Sequence, residues 1–172
     1  IFGEPTASTF KYFGPMAAFL QYGNALKVVR AVGAGALNAC STGGSAQLIK
    51  NKDAYDALTI GSSSGNFIAR SPGVLGNSLQ VQVCLANTAQ FNAWEHRGLF
   101  DRAPGTSNFA TSLGNTDNLD ELHIVVIDKT GEIGGVPGAV LETYEAVSQG
   151  TNAKNDDGST NFFKDVVNNK SQ

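Results

Sequence analysis

One stretch constrains this chain more than any other. Leu79, Val81, Val83 and Leu85 alternate with Ser78, Gln80, Gln82 and Cys84. A helix would scatter these apolar groups around its axis, whereas a β-strand collects them on one face. The pattern predicts a half-buried strand. Its Leu/Val face is expected inward, and its neutral polar face suits solvent or a weakly packed neighbour.

Leu122 to Asp128, Leu-His-Ile-Val-Val-Ile-Asp, reads as a second strong strand. Asp128-Lys129-Thr130-Gly131 reads as a hairpin turn, with Gly131 where positive φ is favoured. Glu132-Ile133 is expected to return, and Gly134 to Gly138 to break the strand. Ala139 to Val147 then resumes it, with Val140, Glu142, Tyr144 and Ala146 opposite in face to Leu141, Thr143, Glu145 and Val147. Upstream, Ala25 to Val32 carries Val on both faces and reads as a largely buried strand.

Helical signals are fewer. Phe10, Phe13, Ala17 and Leu20 share one helical face, with Thr6 or Ser8 as a cap after Pro5. Gly14-Pro15 predicts a kink or two short helices, because Pro15 donates no hydrogen bond and crowds the preceding turn. Gly23-Asn24 ends the segment. Leu48 to Leu58 is weakly helical, with Tyr55, Leu58 and Ile60 as an alternative strand start. Phe162 to Val167 is a short closing helix or strand.

The remaining segments are loops. They include Gly33 to Ser45, Gly61 to Gly65, the turn pairs Pro72-Gly73 and Gly76-Asn77, and Gln149 to Thr160. Asn87 to Asp120 is the least regular third, but a structureless loop of that length is unusual in a compact domain. Its aromatic residues, Trp94 and Phe100 among them, are expected to pin it onto the sheet. The fold class is therefore α+β: a mixed or antiparallel β-sheet with a few short helices packed on it and long Gly/Asn/Ser-rich loops.

Composition excludes several functions. Charged residues make up 16% and the net charge is −3. Such a chain has no positive field to gather nucleic acid. No apolar run approaches the roughly 18 residues that would span a bilayer. Cys40 and Cys84 make no disulfide framework and are expected as reduced, small apolar side chains. The chain opens on Ile1 within a pattern and reads as a fragment of a larger protein.

Few residues fall in chemically informative patterns. Gly33-Ala34-Gly35 follows a predicted strand, but the third glycine position of a dinucleotide loop holds Asn38 and no amphipathic helix follows. Gly61-Ser62-Ser63-Ser64-Gly65 has the wrong spacing for a nucleophile elbow. His123 sits inside a strand, where one ordinary hydrogen bond is the simplest account; His96, between Glu95 and Arg97, is expected at the surface. Asn115 to Asp120 places oxygen ligands at alternate positions but lacks the Gly and distal Glu of a calcium loop, so it reads as a solvated turn. Asp156-Asp157-Gly158 reads the same way. Asp120 and Glu121 are strand neighbours and make no acid/base couple. Asn169-Lys170-Ser171 matches a glycosylation pattern with no secretory context. No catalytic, cofactor-binding or metal-binding residue is assigned, and no cofactor is expected.

Recognition enters at the beginning of the chain. Phe2-Gly3-Glu4-Pro5-Thr6, Tyr12-Phe13 and the run Phe19-Leu20-Gln21-Tyr22-Gly23-Asn24-Ala25-Leu26-Lys27-Val28-Val29-Arg30-Ala31-Val32 strongly resemble the tail sheath proteins of contractile-tailed phages. Phe67 to Asn77, Leu122 to Val126 with Gly131-Glu132-Ile133 and Val140-Leu141-Glu142, and Phe163 to Asn168 look like the same family, in the expected order. Asn87 to Asn115 carries no match.

The resemblance implies a structural, non-enzymatic role. Residues 1–32 would end the first segment of a core domain, and residues 33–172 would form an outward-facing inserted α+β domain. Partners would be other sheath subunits in a helical homo-oligomer, and the tail tube and baseplate through regions absent here. The protein would sit in the virion and assemble in the host cytoplasm. Without its terminal arms the chain alone is expected to be monomeric. Gly-rich, weakly charged surfaces suit a subunit that exchanges one set of lattice contacts for another. Two other classes stay open: a hydrolase or lyase using His123 or His96, and a virion glycan- or receptor-binding module built on Trp94. A sheath from a related bacterial contractile injection system is a close cousin.

Overall fold

The computed structural model describes residues 5–29, 31–41, 44–58 and 66–171. The chain divides into two compact units, Ile1–Asn77 and Ser78–Gln172.

In the first unit, helix α1 spans Phe10–Leu20 and α2 spans Lys52–Asp56. α1 continues as one helix through Pro15, so of the kink or two short helices expected there the two short helices do not form. The Thr6 carbonyl accepts from the amides of Thr9 and Phe10, at 3.1 and 2.8 Å, and opens the helix. The Gly23 amide closes it onto Phe19 O at 2.9 Å. α2 has Asn51 at its cap, whose side chain accepts from the Ala54 amide at 2.9 Å. This settles Tyr55 as helical.

The rest of this unit is stitched around Asn38, which is fully buried. Asn38 Nδ2 donates to Ala69 O at 2.9 Å, and Asn38 Oδ1 accepts from the Ile49 amide at 2.8 Å. Short bridges join Asn38 to Gln47 and Cys40 to Ile68. No helix follows Gly35 in the described stretch to Ser41, so the dinucleotide-loop reading lacks its phosphate-binding helix end.

Ala25 to Val32 is not a strand among its described residues; Arg30 lies outside them. Val29 is 96% exposed, against the expectation of a buried element. A strand exists only through its partner, and β-propensity without a neighbouring ladder leaves an open chain.

In the second unit, strands β1 (Leu79–Leu85), β2 (Glu121–Asp128) and β3 (Ala139–Ser148) form one antiparallel sheet in the order β1-β2-β3. Helices α3 (Thr88–Ala93), α4 (Asn108–Ser112) and α5 (Phe163–Lys170) accompany it. The fold is α+β, as expected. β2 lies in the centre and is buried along nearly its whole length. That explains its near-continuous apolar run, since a strand covered on both faces need not alternate.

Each face of the sheet carries a core. One holds Cys84, Phe91, Phe100, Val125 and Ile127, with Trp94 and Ala103 packed against them. The other holds Leu122, Ile124, Tyr144, Val147 and Val166, with Val81, Val126, Phe163 and Val167 at its margin. The aromatic residues of the irregular third do pin it to the sheet.

β1 keeps its predicted bounds, but its predicted polarity holds only in its first half, where Gln80 is exposed and Val81 packs against a core. Cys84 is buried, while Val83 and Leu85 are 38% and 49% exposed. Trp94 covers the polar face and donates from Nε1 to Gln82 Oε1 at 2.8 Å, which satisfies the amide oxygen. α5, the cover of the opposite face, packs chiefly on β3.

The connection from β2 to β3 contains no returning strand at Glu132-Ile133; it is a loop from 129 to 138. Gly131 has φ of 81° as its turn position predicted, and a Cβ there would lie 2.7 Å from Pro137 N. β3 then departs from simple alternation. Ile124 faces Tyr144 while Leu122 faces Val147, so β3 carries an extra residue there, a β-bulge, and a second register shift follows between Val126 and Ile127. Ala146 in that bulge has φ of 48°, an unfavourable value for a residue with a Cβ.

Candidate functional site

The side chains capable of chemistry gather at the two ends of β2, and each is engaged in holding a loop. At the start, Asp120 is buried. Its Oδ1 accepts from the Ser107 amide at 2.9 Å and its Oδ2 from Ser107 Oγ at 2.8 Å. Ser148 Oγ also donates to Oδ2. Ser107 in turn caps α4 by accepting from the Ala110 amide at 3.1 Å. Asn115 to Leu119 is exposed, as expected of a solvated turn, but Asp120 is a correction to that reading. Its charge is held inside by neutral donors. Burial pushes this carboxyl up, and the bonds from Ser107 and Ser148 outweigh it, leaving it below the ordinary carboxylate range.

Glu121 is buried too, and it pairs with Arg102 in a two-pronged contact. Arg102 Nη1 donates to Oε2 at 2.5 Å and Nη2 to Oε1 at 2.7 Å. The Gly105 amide adds a bond to Oε2 at 2.9 Å. This parallel geometry is the strong form of an arginine–carboxylate pair. Hydrogen bonding to Glu121 holds the Arg102 guanidinium above its ordinary range. Asp120 and Glu121 serve separate partners and form no acid/base couple.

His123 is fully buried, with its ring stacked on Phe100 at 4.2 Å between centroids and edge-on to Phe91 at 5.7 Å. Nδ1 accepts from the Ala146 amide at 2.9 Å. Nε2 lies 2.8 Å from the Arg102 carbonyl, which can only accept. These partners assign the proton to Nε2 and a neutral ring. His123 therefore makes two bonds rather than one. It ties the β3 bulge to the loop carrying Arg102.

At the far end of β2, Asp128 organises the loop to β3. Oδ1 accepts from Ser78 Oγ and from the Gly131 amide at 3.0 Å. Oδ2 accepts from the amides of Ile133 and Gly134 at 2.8 and 2.6 Å. Burial raises this carboxyl, and the donors, led by Gly134 and Ser78, bring it below the usual range. Tyr144 donates to Glu142 Oε2 at 2.7 Å; burial, reinforced by that carboxylate, pushes the phenol upward.

The other candidates are dispersed. Trp94 stacks on Phe100 at 5.5 Å and uses its N–H on Gln82, so it presents no free platform for a sugar ring. His96 is half-buried against Trp94, where exposure was expected, and its Nε2 lies 3.3 Å from Glu95 Oε1. No hydrogen bond with acceptable geometry forms across that gap. Cys40 and Cys84 are free thiols, and burial raises Cys84. Asp157 closes its own turn by accepting from the amide and hydroxyl of Ser159, at 2.9 and 2.6 Å. Ser62 to Ser64 lies outside the described residues. Among the described residues, no group of three His, Cys, Asp or Glu could hold a metal ion, and no helix is long and apolar enough to cross a membrane.

Sequence reasoning missed the buried role of Asp120, Glu121 and Asp128. The available signal was their position, with carboxylates bracketing the most apolar strand. Polar groups at such margins must find donors or stay wet.

No protein-family model and no solved structure matches the chain. It is similar to the tail sheath protein of Salmonella phage ViI, 35% identical over 150 residues. The matched region is 87% of this chain and 21% of that protein, so the chain spans about a fifth of its relative's length.

Proposed function

We propose that this chain is part of a structural subunit of a contractile phage tail sheath, with no enzymatic role. The observation that carries this reading is the 35% identity extending over 150 residues to a phage tail sheath protein. In this reading the protein is a virion component, assembled in the host cytoplasm. Many copies form a helical sleeve around the tail tube. Shortening of the sleeve drives the tube through the host envelope for genome ejection. Residues 1–32 end a core-domain segment, and residues 33–172 belong to an outward-facing insert.

The geometry supports a structural role. The two buried acids at the start of β2 and the buried histidine near it all clip loops to the sheet. Each bond fixes a segment that the small hydrophobic cores would hold only weakly. The test is immunogold labelling of virions that carry this chain, before and after contraction. Label along the full length of the tail, closing up as the tail shortens, is expected. Label restricted to capsid, fibres or baseplate, or absent from the virion, overturns the proposal.

A further inference from the structure

A titratable ring and a strained backbone meet at the β3 bulge. The register passes from Leu122–Val147 to Ile124–Tyr144, so His123 stands opposite the extra residue. Ala146 sits there with φ of 48°, a conformation that strains a residue carrying a Cβ. Two bonds hold it in place. Its amide donates to His123 Nδ1 at 2.9 Å, and its carbonyl accepts from Asn161 Nδ2 at 3.1 Å.

The closed site has no place for a second ring proton. The Nδ1 lone pair is taken by the Ala146 amide, and Nε2 carries its proton toward the Arg102 carbonyl. A proton on Nδ1 would set two donors face to face. It would also place a charge in a fully buried position. The surroundings do not offset that charge. Phe91 and Phe100 are uncharged, and burial keeps the Cys84 thiol, opposite His123 on β1, in its neutral form. Arg102 is itself a cation, and its guanidinium is paired with Glu121. Glu145, beside Ala146, is exposed and accepts from the Asp101 amide at 3.2 Å. Neither carboxylate bonds to the ring.

We propose that His123 is an acid-sensitive latch: proton uptake at Nδ1 releases Ala146 from the bulge and frees the loop carrying Arg102 from the sheet. Only the open form accepts this proton. Opening therefore grows as pH falls below the range in which a free imidazole charges, about pH 6.5, and the closed form prevails above it. Opening also relieves the left-handed backbone at Ala146. That residue is half-buried, at the margin of the sheet, so the bulge can open while β2 stays paired. The latch stands on this geometry and is independent of the sheath reading.

The test is native-state hydrogen exchange of the 172-residue chain between about pH 5 and pH 8, with rates corrected for intrinsic exchange. This window lies above the acid range of the buried carboxylates. The open population at the Ala146 amide should rise about tenfold per pH unit below about pH 6, the signature of one proton taken up per opening. Ala146 should also exchange faster than the amides of β2. His123→Gln offers one donor and one acceptor but takes no proton, and it should abolish the pH dependence. Ala146→Gly keeps the ring and removes the strain, so it should lower the open population at every pH and leave the slope intact. Ring nitrogen NMR adds a readout that needs no substitution of His123. It should find the neutral Nε2–H form at pH 8, with His96→Gln identifying the other of the two histidines. Exchange at Ala146 indifferent to pH, a slope that survives in His123→Gln, Ala146 exchanging no faster than β2, or a proton on Nδ1 at pH 8 overturns the proposal.

Discussion

The two units use similar residues to different ends. In the second, three strands pair and apolar groups pack on both faces of β2. In the first, Ile49 is the sole buried hydrophobic residue among those described, and a polar side chain, Asn38, is the most buried. Apolar content is not what separates them, since α1 is rich in Phe, Tyr and Leu. The difference lies in pairing. Burial comes from a partner surface, and only the second unit supplies its own among the described residues. Side chains that would form a core elsewhere stay exposed in the first.

Substitutions can break this comparison. Phe100 stacks on both Trp94 and His123, so Phe100→Ala removes the centre of one core. A loss of about 3–5 kcal/mol is expected by denaturant unfolding. A loss under about 1 kcal/mol would mean that the aromatic layer is ornamental to the second unit. Gly131→Ala combines positive φ with a Cβ pressed against the Pro137 backbone. It should destabilise by about 1–3 kcal/mol, read from the same unfolding curves.

Acid offers a test without substitution. Asp120 and Asp128 both titrate below their ordinary range when folded. Their folded carboxyls release protons more readily than their unfolded ones, so the stability they add is fully present above about pH 4. It is lost as pH falls from there through the lower folded values. The Asp120→Asn variant should show a shallower loss over this window, measured as the unfolding midpoint against pH. An unchanged slope would contradict the buried-carboxylate clips.

The smallest effects sharpen the contrast. Ala146→Gly relieves the left-handed conformation in the bulge and should stabilise by about 0.5–1 kcal/mol. Phe10→Ala, in the exposed helix, should change stability by no more than about 0.5 kcal/mol. A large loss there would show that α1 is buried against the protein's own surface.

Much of the second unit was legible in advance. β1 kept its predicted bounds because strict alternation has one period and one simple solution. β3 began where Gly138 released it, and the aromatic residues of the irregular third found the sheet. The clips at the ends of β2 were not legible. Ser107 lies thirteen residues from Asp120, and Ser148 lies twenty-eight away. Neither spacing marks a motif.

What the sequence determined by itself is local. It set the strand periods, the turn at Gly131 and the α+β class. Tertiary structure decided every question that depends on a second surface. It drew Gln82 and Cys84 inward at the end of β1, where Trp94 bonds to Gln82. It left Ala25 to Val29 without a ladder because no strand lies beside it in the described chain. It made His123 a tie between loop and bulge. Periodicity is a property of one segment, but burial and pairing belong to two, and only the folded chain states which two meet.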